Sequence, residues 1–147
     1  MDGEVSEPRV VVGVDGSTSS YAALRWAVRY AGLIGGTVDA VTAWDLPGLY
    51  GWSAPPVDMD IDLAEARERM RLELAEVLGE EGIGTVHTRL AHGNPAEILL
   101  RAAEGAEILV VGGRGRGGFV RALLGSVSQH VSLHASCPVV IVRSETE

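Results

Sequence analysis

Two short runs, Val10-Val11-Val12 and Ile108-Leu109-Val110-Val111, are apolar at every position. A strand with one wet face alternates apolar and polar side chains. A strand without that alternation is covered on both faces. In a chain of 147 residues this calls for a parallel sheet between two layers of helix. The intervening segments supply those layers. Arg9 to Val14 reads as the first strand, closed by the turn Asp15-Gly16-Ser17. A helix is expected from about Thr18 to Ile34. Leu24, Ala27, Val28 and Ala31 share one face there, and Arg25 and Arg29 the other. Gly35-Gly36 stops it.

Val38 to Trp44 is the second strand. The segment from Asp45 to Asp60 is irregular, with three prolines, Tyr50 and Trp52. A loop of that length in a small domain serves either function or surface. Ile61 to Leu78 reads as a charged helix with Leu63, Met70, Leu74, Val77 and Leu78 as its buried stripe. In the third strand, Thr85 to Ala91, Val86, Thr88 and Leu90 alternate with His87 and Arg89, the pattern of a half-exposed edge. Asn94-Pro95-Ala96-Glu97 opens the next helix, with an Asn cap and Pro at the first position. That helix ends near Gly105. Ile108 to Val111 is the fourth strand. A glycine-rich loop, a helix from Ser126 to about Ala135 and a last strand from Pro138 to Arg143 complete the chain.

These elements predict one α/β domain over residues 1–147. It is a three-layer doubly wound fold with a five-stranded parallel sheet, order 3-2-1-4-5, and four helices. The unbroken first and fourth strands belong at its centre. There the winding reverses, and a crevice opens at the carboxyl ends of the strands. The same order leaves Val139-Val140-Ile141-Val142 on an edge. A bare apolar edge pairs with another chain, so a homodimer through the last strand is expected.

The net charge of −8 argues against affinity for nucleic acid or an anionic membrane. No stretch approaches the roughly 20 apolar residues of a membrane span, and Met1 to Pro8 does not resemble a signal peptide. With one cysteine, Cys137, no internal disulfide forms. A cytoplasmic location is expected, and Cys137 reads as a small buried hydrophobe. Charge is unevenly placed, however. From Ile108 to Ser144 there is no Asp or Glu, yet Arg114, Arg116, Arg121 and Arg143 fall there. This points to a local anion site.

Two features meet at the crevice. Asp15 ends the first strand. After the fourth strand comes Gly112-Gly113-Arg114-Gly115-Arg116-Gly117-Gly118, leading to Gly125-Ser126 at a helix start. Glycines let backbone approach a ligand closely. Their N–H groups, with those of a helix N-terminus, cradle phosphate. Ser126 reads as the N-cap, its hydroxyl also able to serve a phosphate. Gly113, Gly115 and Gly118 match G-x-G-x-x-G, but no acid follows about 20 residues on to hold a ribose, so a hydride-transfer dinucleotide fold is rejected. A P-loop needs a lysine after its last glycine, and a phosphoryl-accepting receiver domain needs one beside its site. This chain has no lysine at all.

Gly112, Gly115, Gly125 and Ser126 fit G-x2-G-x9-G-[ST]. On that signature, on VVGVDGS with Asp15, and on Gly93-Asn94-Pro95-Ala96, the chain resembles the universal stress protein family from Arg9 to Arg143. The resemblance implies an ATP-binding regulatory protein in the stress response, acting as a dimer that senses nucleotide. It implies that Asp15 contacts ribose hydroxyls or a bound Mg²⁺, that Gly13 lies beside the nucleotide, and that the backbone of Ala43 bonds adenine. It implies that Val111 and Gly112 pack near base and ribose. Gly115, Gly125, Ser126, Val127 and Ser128 would wrap the phosphates, with Arg114 beside them. The family dimerises through its last strand, which agrees with the edge reading. The long Trp-bearing loop is the departure from the pattern.

His130 and His134 stand at metal-ligand spacing on one helix face, but no third ligand type is near in sequence, so surface or interface histidines are expected. His92 lies where it reaches the crevice mouth. Trp26 reads as packing, as do Trp44 and Trp52 by default. No catalytic set announces itself. ATP hydrolysis is expected to be slow or absent, because no residue orients a water and no lysine meets the γ-phosphate. The alternatives are a slow ATPase or phosphotransferase, a cyclic-AMP-binding variant of the site, and an interaction module that binds no nucleotide.

Overall fold

Strand and helix alternate as the sequence requires: β1 (Arg9–Gly13), α1 (Thr18–Ile34), β2 (Thr37–Trp44), α2 (Met59–Ile83), β3 (Val86–His92), α3 (Pro95–Ala102), β4 (Ile108–Gly112), α4 (Ser126–His134) and β5 (Val139–Val142). The computed structural model describes residues 7–44, 59–113 and 124–144. All strand pairs are parallel, in the order β3-β2-β1-β4-β5. This is the expected doubly wound sheet.

Each face of the sheet has its own core. Val10, Val12, Val38, Ala40 and Val110 pack under α1 and α2, against Leu24, Ala27, Met70 and Leu74. On the opposite face, Val11, Val41, Leu109 and Val111 pack under α3 and α4, against Ile98, Leu99 and Val131. Neighbouring residues of one strand therefore serve different cores. That is why β1 and β4 cannot tolerate a polar side chain. Leu24, Leu74 and Leu109 are fully buried, and each such side chain contributes about 1.5–3 kcal/mol.

Local chemistry sets the boundaries. Ser17 caps α1, its Oγ accepting from the Ser20 N–H at 3.2 Å. Gly35 ends that helix in the left-handed region at φ 70°, where glycine carries no penalty. Asn94 caps α3 through the Glu97 N–H at 3.1 Å, with Pro95 in the first turn, as expected. In α2, Leu63, Val77 and Leu78 are half-buried and Met70 and Leu74 fully so. The helix ends later than expected, at Ile83, but it breaks at Gly79 (φ 85°, ψ 167°). The first rod thus ends at Leu78, where the pattern placed it. The element begins at Met59, inside the segment expected to be irregular. Residues 45–58 of that segment, Trp52 among them, lie outside the described residues.

β3 alternates as an edge strand should: His87 and Arg89 are exposed, and Val86, Thr88 and Leu90 are half-covered. β5 forms the other edge, with all four residues half-buried. Beside β1, one side chain ties the lower rim together. Arg9 Nη1 donates to Asp39 Oδ2 at 3.3 Å and to the Ala102 carbonyl at 2.9 Å, and Nη2 donates to the Glu104 carbonyl at 2.7 Å. Among the described residues, no helix is long and apolar enough to cross a membrane.

Candidate functional site

The sheet parts between its two central strands. The β1–β4 register runs from Val10↔Ile108 to Val12↔Val110 and stops. Beyond that point each strand keeps only its outer partner. β1 continues with β2 to Gly13↔Val41, and the Val14 N–H still donates to the Val41 carbonyl at 2.9 Å. β4 continues with β5 to Gly112↔Val142, and the Gly113 N–H donates to the Val142 carbonyl at 2.8 Å. A cleft opens between Gly13, Val14 and Asp15 on one lip and Val111, Gly112 and Gly113 on the other.

Asp15 sits at the mouth of the first lip, exposed. One carboxylate oxygen, Oδ1, accepts from the Ser17 N–H at 2.9 Å, and Gly16 turns the chain at φ 86°. The Asp15 N–H donates to Ser20 Oγ at 3.3 Å, and that hydroxyl donates to the Ser17 carbonyl at 2.9 Å. Asp15 is thus fixed by the first turn of α1. Gly13 is a glycine for a packing reason. A Cβ there would stand 2.8 Å from Leu99 Cδ1, so its side-chain position faces α3 and only its backbone faces the cleft.

Gly112 on the second lip is more confined. A Cβ would meet Ser19 Oγ at 2.6 Å and the Ser19 carbonyl carbon at 2.7 Å. The start of α1 therefore rests on the backbone of β4. Buried Ser128 donates its hydroxyl to the Gly112 carbonyl at 2.5 Å. Its Oγ works inside the lip, which leaves its backbone for any ligand. The Gly125 N–H donates to the Gly113 carbonyl at 2.8 Å, which ties the start of α4 to the end of β4. Arg114 and Gly115 lie between the two, outside the described residues. Val111 is buried and Val127 packs half-buried beside it.

Ser126 departs from expectation. The extended cap conformation falls one residue earlier, at Gly125 (φ −70°, ψ 165°), which makes no side-chain cap bond. Ser126 is the first helical residue and is exposed. A hydroxyl at that position starts inside the helical turn and is not placed to cap the N–H groups above it. The first turn of α4 therefore has no side-chain cap.

Backbone geometry defines where Ala43 points. Along a strand, successive residues turn their N–H and C=O groups to opposite neighbours. The Val41 carbonyl faces β1, through Val14, and the Trp44 carbonyl accepts from the Gly93 N–H on the β3 side at 2.7 Å. Ala43 therefore turns its peptide groups to the β1 side, past the last paired residue of β1. Buried Thr42 donates to the Val14 carbonyl at 2.8 Å, which holds this corner closed. Ser19, Ser20 and Thr42 were not singled out in the sequence, and Ser17 only as a turn residue. For the serines the signal was the hydroxyl run Ser17-Thr18-Ser19-Ser20 at a helix start, and for Thr42 there was none.

Trp44 and His92 end β2 and β3 opposite one another, with ring centroids 4.3 Å apart and planes tilted 46°. His92 is the last residue of the strand, not the first after it. Trp26 stacks on Tyr30 at 5.0 Å on the flank of α1, as packing. His130 and His134 are exposed on α4. Cys137 is half-buried, and burial pushes its thiol pKa up against the opposing pull of Arg9. Among the described residues, no three His, Cys, Asp or Glu side chains gather as a metal site.

The cleft pairs unlike lips. A carboxylate suits hydroxyl groups or a divalent cation. Glycine backbone amides and a helix N-terminus suit an anion. The fold and this cleft define a doubly wound α/β domain with a ligand crevice at its switch point. The model of the universal stress protein family matches residues 8–143, and the chain belongs to that family.

It is 34% identical to a universal stress protein of Mycolicibacterium smegmatis, over 97% of this chain and 50% of that protein. The chain spans about half the length of the first curated relatives it matches. Universal stress protein UspA from Lactobacillus plantarum superposes with a TM-score of 0.72 at 24% identity, covering 95% of this chain and all of that one. A universal stress protein solved in complex with cAMP is similar at a TM-score of 0.62 and 28% identity, over 96% of this chain and all of the other. One from Archaeoglobus fulgidus, in complex with dAMP, gives 0.62 and 26%, over 95% and 99%.

Proposed function

We propose that this protein binds an adenine nucleotide, ATP with Mg²⁺, in the crevice between β1 and β4, and acts as a dimeric regulatory module in a stress response. The parting of β1 from β4, with the Gly125 N–H bonded to the Gly113 carbonyl at the start of α4, carries this reading. Asp15 serves the ribose or the metal ion. The peptide groups of Ala43 serve the base. Gly112, Gly115 and Gly125, with the first turn of α4, serve the phosphates, and Arg114 lies beside them. That similar universal stress proteins were solved with cAMP and dAMP supports an adenylate as the ligand.

ATP is held here, with hydrolysis slow or absent. The cleft offers no lysine to the γ-phosphate, and turnover above about one per second would overturn this. The dimer forms along the apolar edge of β5, Val139–Val142. Light scattering at micromolar concentration tests it, and a clean 15.5 kDa monomer counts against it. The cytoplasm is the proposed location.

Calorimetric titration of ATP, ADP, AMP and cyclic AMP, with and without Mg²⁺, tests the site. Gly115→Glu puts a negative charge where the phosphates lie. ATP binding that this variant loses supports the reading. Preference for cyclic AMP would favour a cyclic-nucleotide form of the same site. No binding to any adenylate leaves the fold standing and favours an interaction module.

A further inference from the structure

His130 and His134 lie one turn apart on α4, both exposed, with ring centroids 4.7 Å apart and planes tilted 44°. A metal–nitrogen bond of about 2.0–2.1 Å, with each ring centre roughly 1.2 Å behind its nitrogen, sets two imidazole centroids about 4.5–5.2 Å apart on one ion at tetragonal to tetrahedral angles. The observed separation falls inside that window. The rings are not a face-to-face stack, and the broad χ2 of histidine lets each turn a nitrogen toward a common point. Spacing alone leaves the pair as surface residues. The ring separation is one that a single ion can bridge.

We propose that His130 and His134 form a two-imidazole site for a divalent transition metal ion, Cu²⁺, Ni²⁺ or Zn²⁺, with water completing the coordination. Imidazole suits these ions, whereas Mg²⁺ and Ca²⁺ want oxygen ligands. The stretch from Ile108 to Ser144 holds no carboxylate to supply them. The site is separate from the proposed nucleotide crevice and stands without it. Its structural effect follows from the length of α4, nine residues. Helices shorter than about 12–15 residues are marginal alone, and α4 relies on Ser128 and Val131 for burial. An ion tied across one turn stiffens the helix whose first turn forms one lip of the cleft.

The test uses the full chain stripped with EDTA and titrated with Ni²⁺ and with Cu²⁺, beside His130→Ala, His134→Ala and His87→Ala. Loss of one of two ligands should weaken binding at least about tenfold. The expected result is one site in the unaltered protein, weakened that much in both α4 variants and unchanged in His87→Ala. Thermal melting should rise with Ni²⁺ in the unaltered protein and not in the α4 variants. Melting of all four proteins in EDTA checks that each is folded. Equal metal affinity in the unaltered protein and His130→Ala would overturn the proposal, as would no binding by any of them.

Discussion

Gly112 and Ser19 are in contact through their main chains. A methyl group on Gly112 would stand 2.7 Å from the Ser19 carbonyl carbon and 2.8 Å from its oxygen. Neither atom is the loose end of a side chain, so α1 must move as a body to make room. Overpacking of this kind costs about 1–3 kcal/mol. Gly112→Ala should lower the urea midpoint accordingly. An unchanged midpoint would mean that α1 does not bear on β4 as described.

Thr42→Val removes the donor to the Val14 carbonyl while keeping the side-chain shape. Leaving a buried acceptor without its partner costs about 1–3 kcal/mol. The loss should appear in chemical denaturation. A neutral result would mean that water replaces the hydroxyl.

Arg9 joins β1, β2 and the end of α3. Arg9→Met keeps most of the stem and loses three hydrogen bonds, one of them to half-screened, buried Asp39. We expect destabilisation of at least about 1.5 kcal/mol. Arg9→Met and Asp39→Asn should be non-additive in a double-mutant cycle. Strict additivity would show that the two side chains do not interact in solution.

Cys137 should alkylate slowly. Only the thiolate attacks iodoacetamide, and burial raises the pKa of this thiol. The pH at which its rate reaches half-maximum should lie above that of an unfolded chain, and urea should speed the reaction at neutral pH. Arg9→Met should shift that half-point further up, because the Arg9 charge lowers it. A shift in the opposite direction would refute the role of Arg9.

The fold was legible because strand character varies. Unbroken Val10-Val11-Val12 and Ile108-Leu109-Val110-Val111 announce central strands, and His87 and Arg89 announce an edge. That pattern orders the sheet and places the cleft. Helix ends were legible where a cap or a glycine marks them, as at Asn94, Gly35 and Leu78 before Gly79. The lips of the cleft were less so. Gly13 and Gly112 read as ligand-facing glycines, but their missing side chains make room for Leu99 and Ser19. Those contacts cross between elements far apart in sequence. The hydroxyls of Thr42 and Ser128, and the reach of Arg9, depend on packing in the same way. Ser126 was misplaced by one position, because glycine can cap a helix without a side chain.

The parting of β1 from β4 also has a consequence in time. Its two lips come from strands far apart in sequence, with β2 and β3 between them. A ribosome must make β1, α1, β2, α2, β3 and α3 before the first residue of β4 exists. Until β4 docks on β1, that side of β1 stays uncovered and the second lip of the cleft is missing. The cleft is therefore completed only once β4 has been made. A small molecule held there would leave every element before β4 to form unaided.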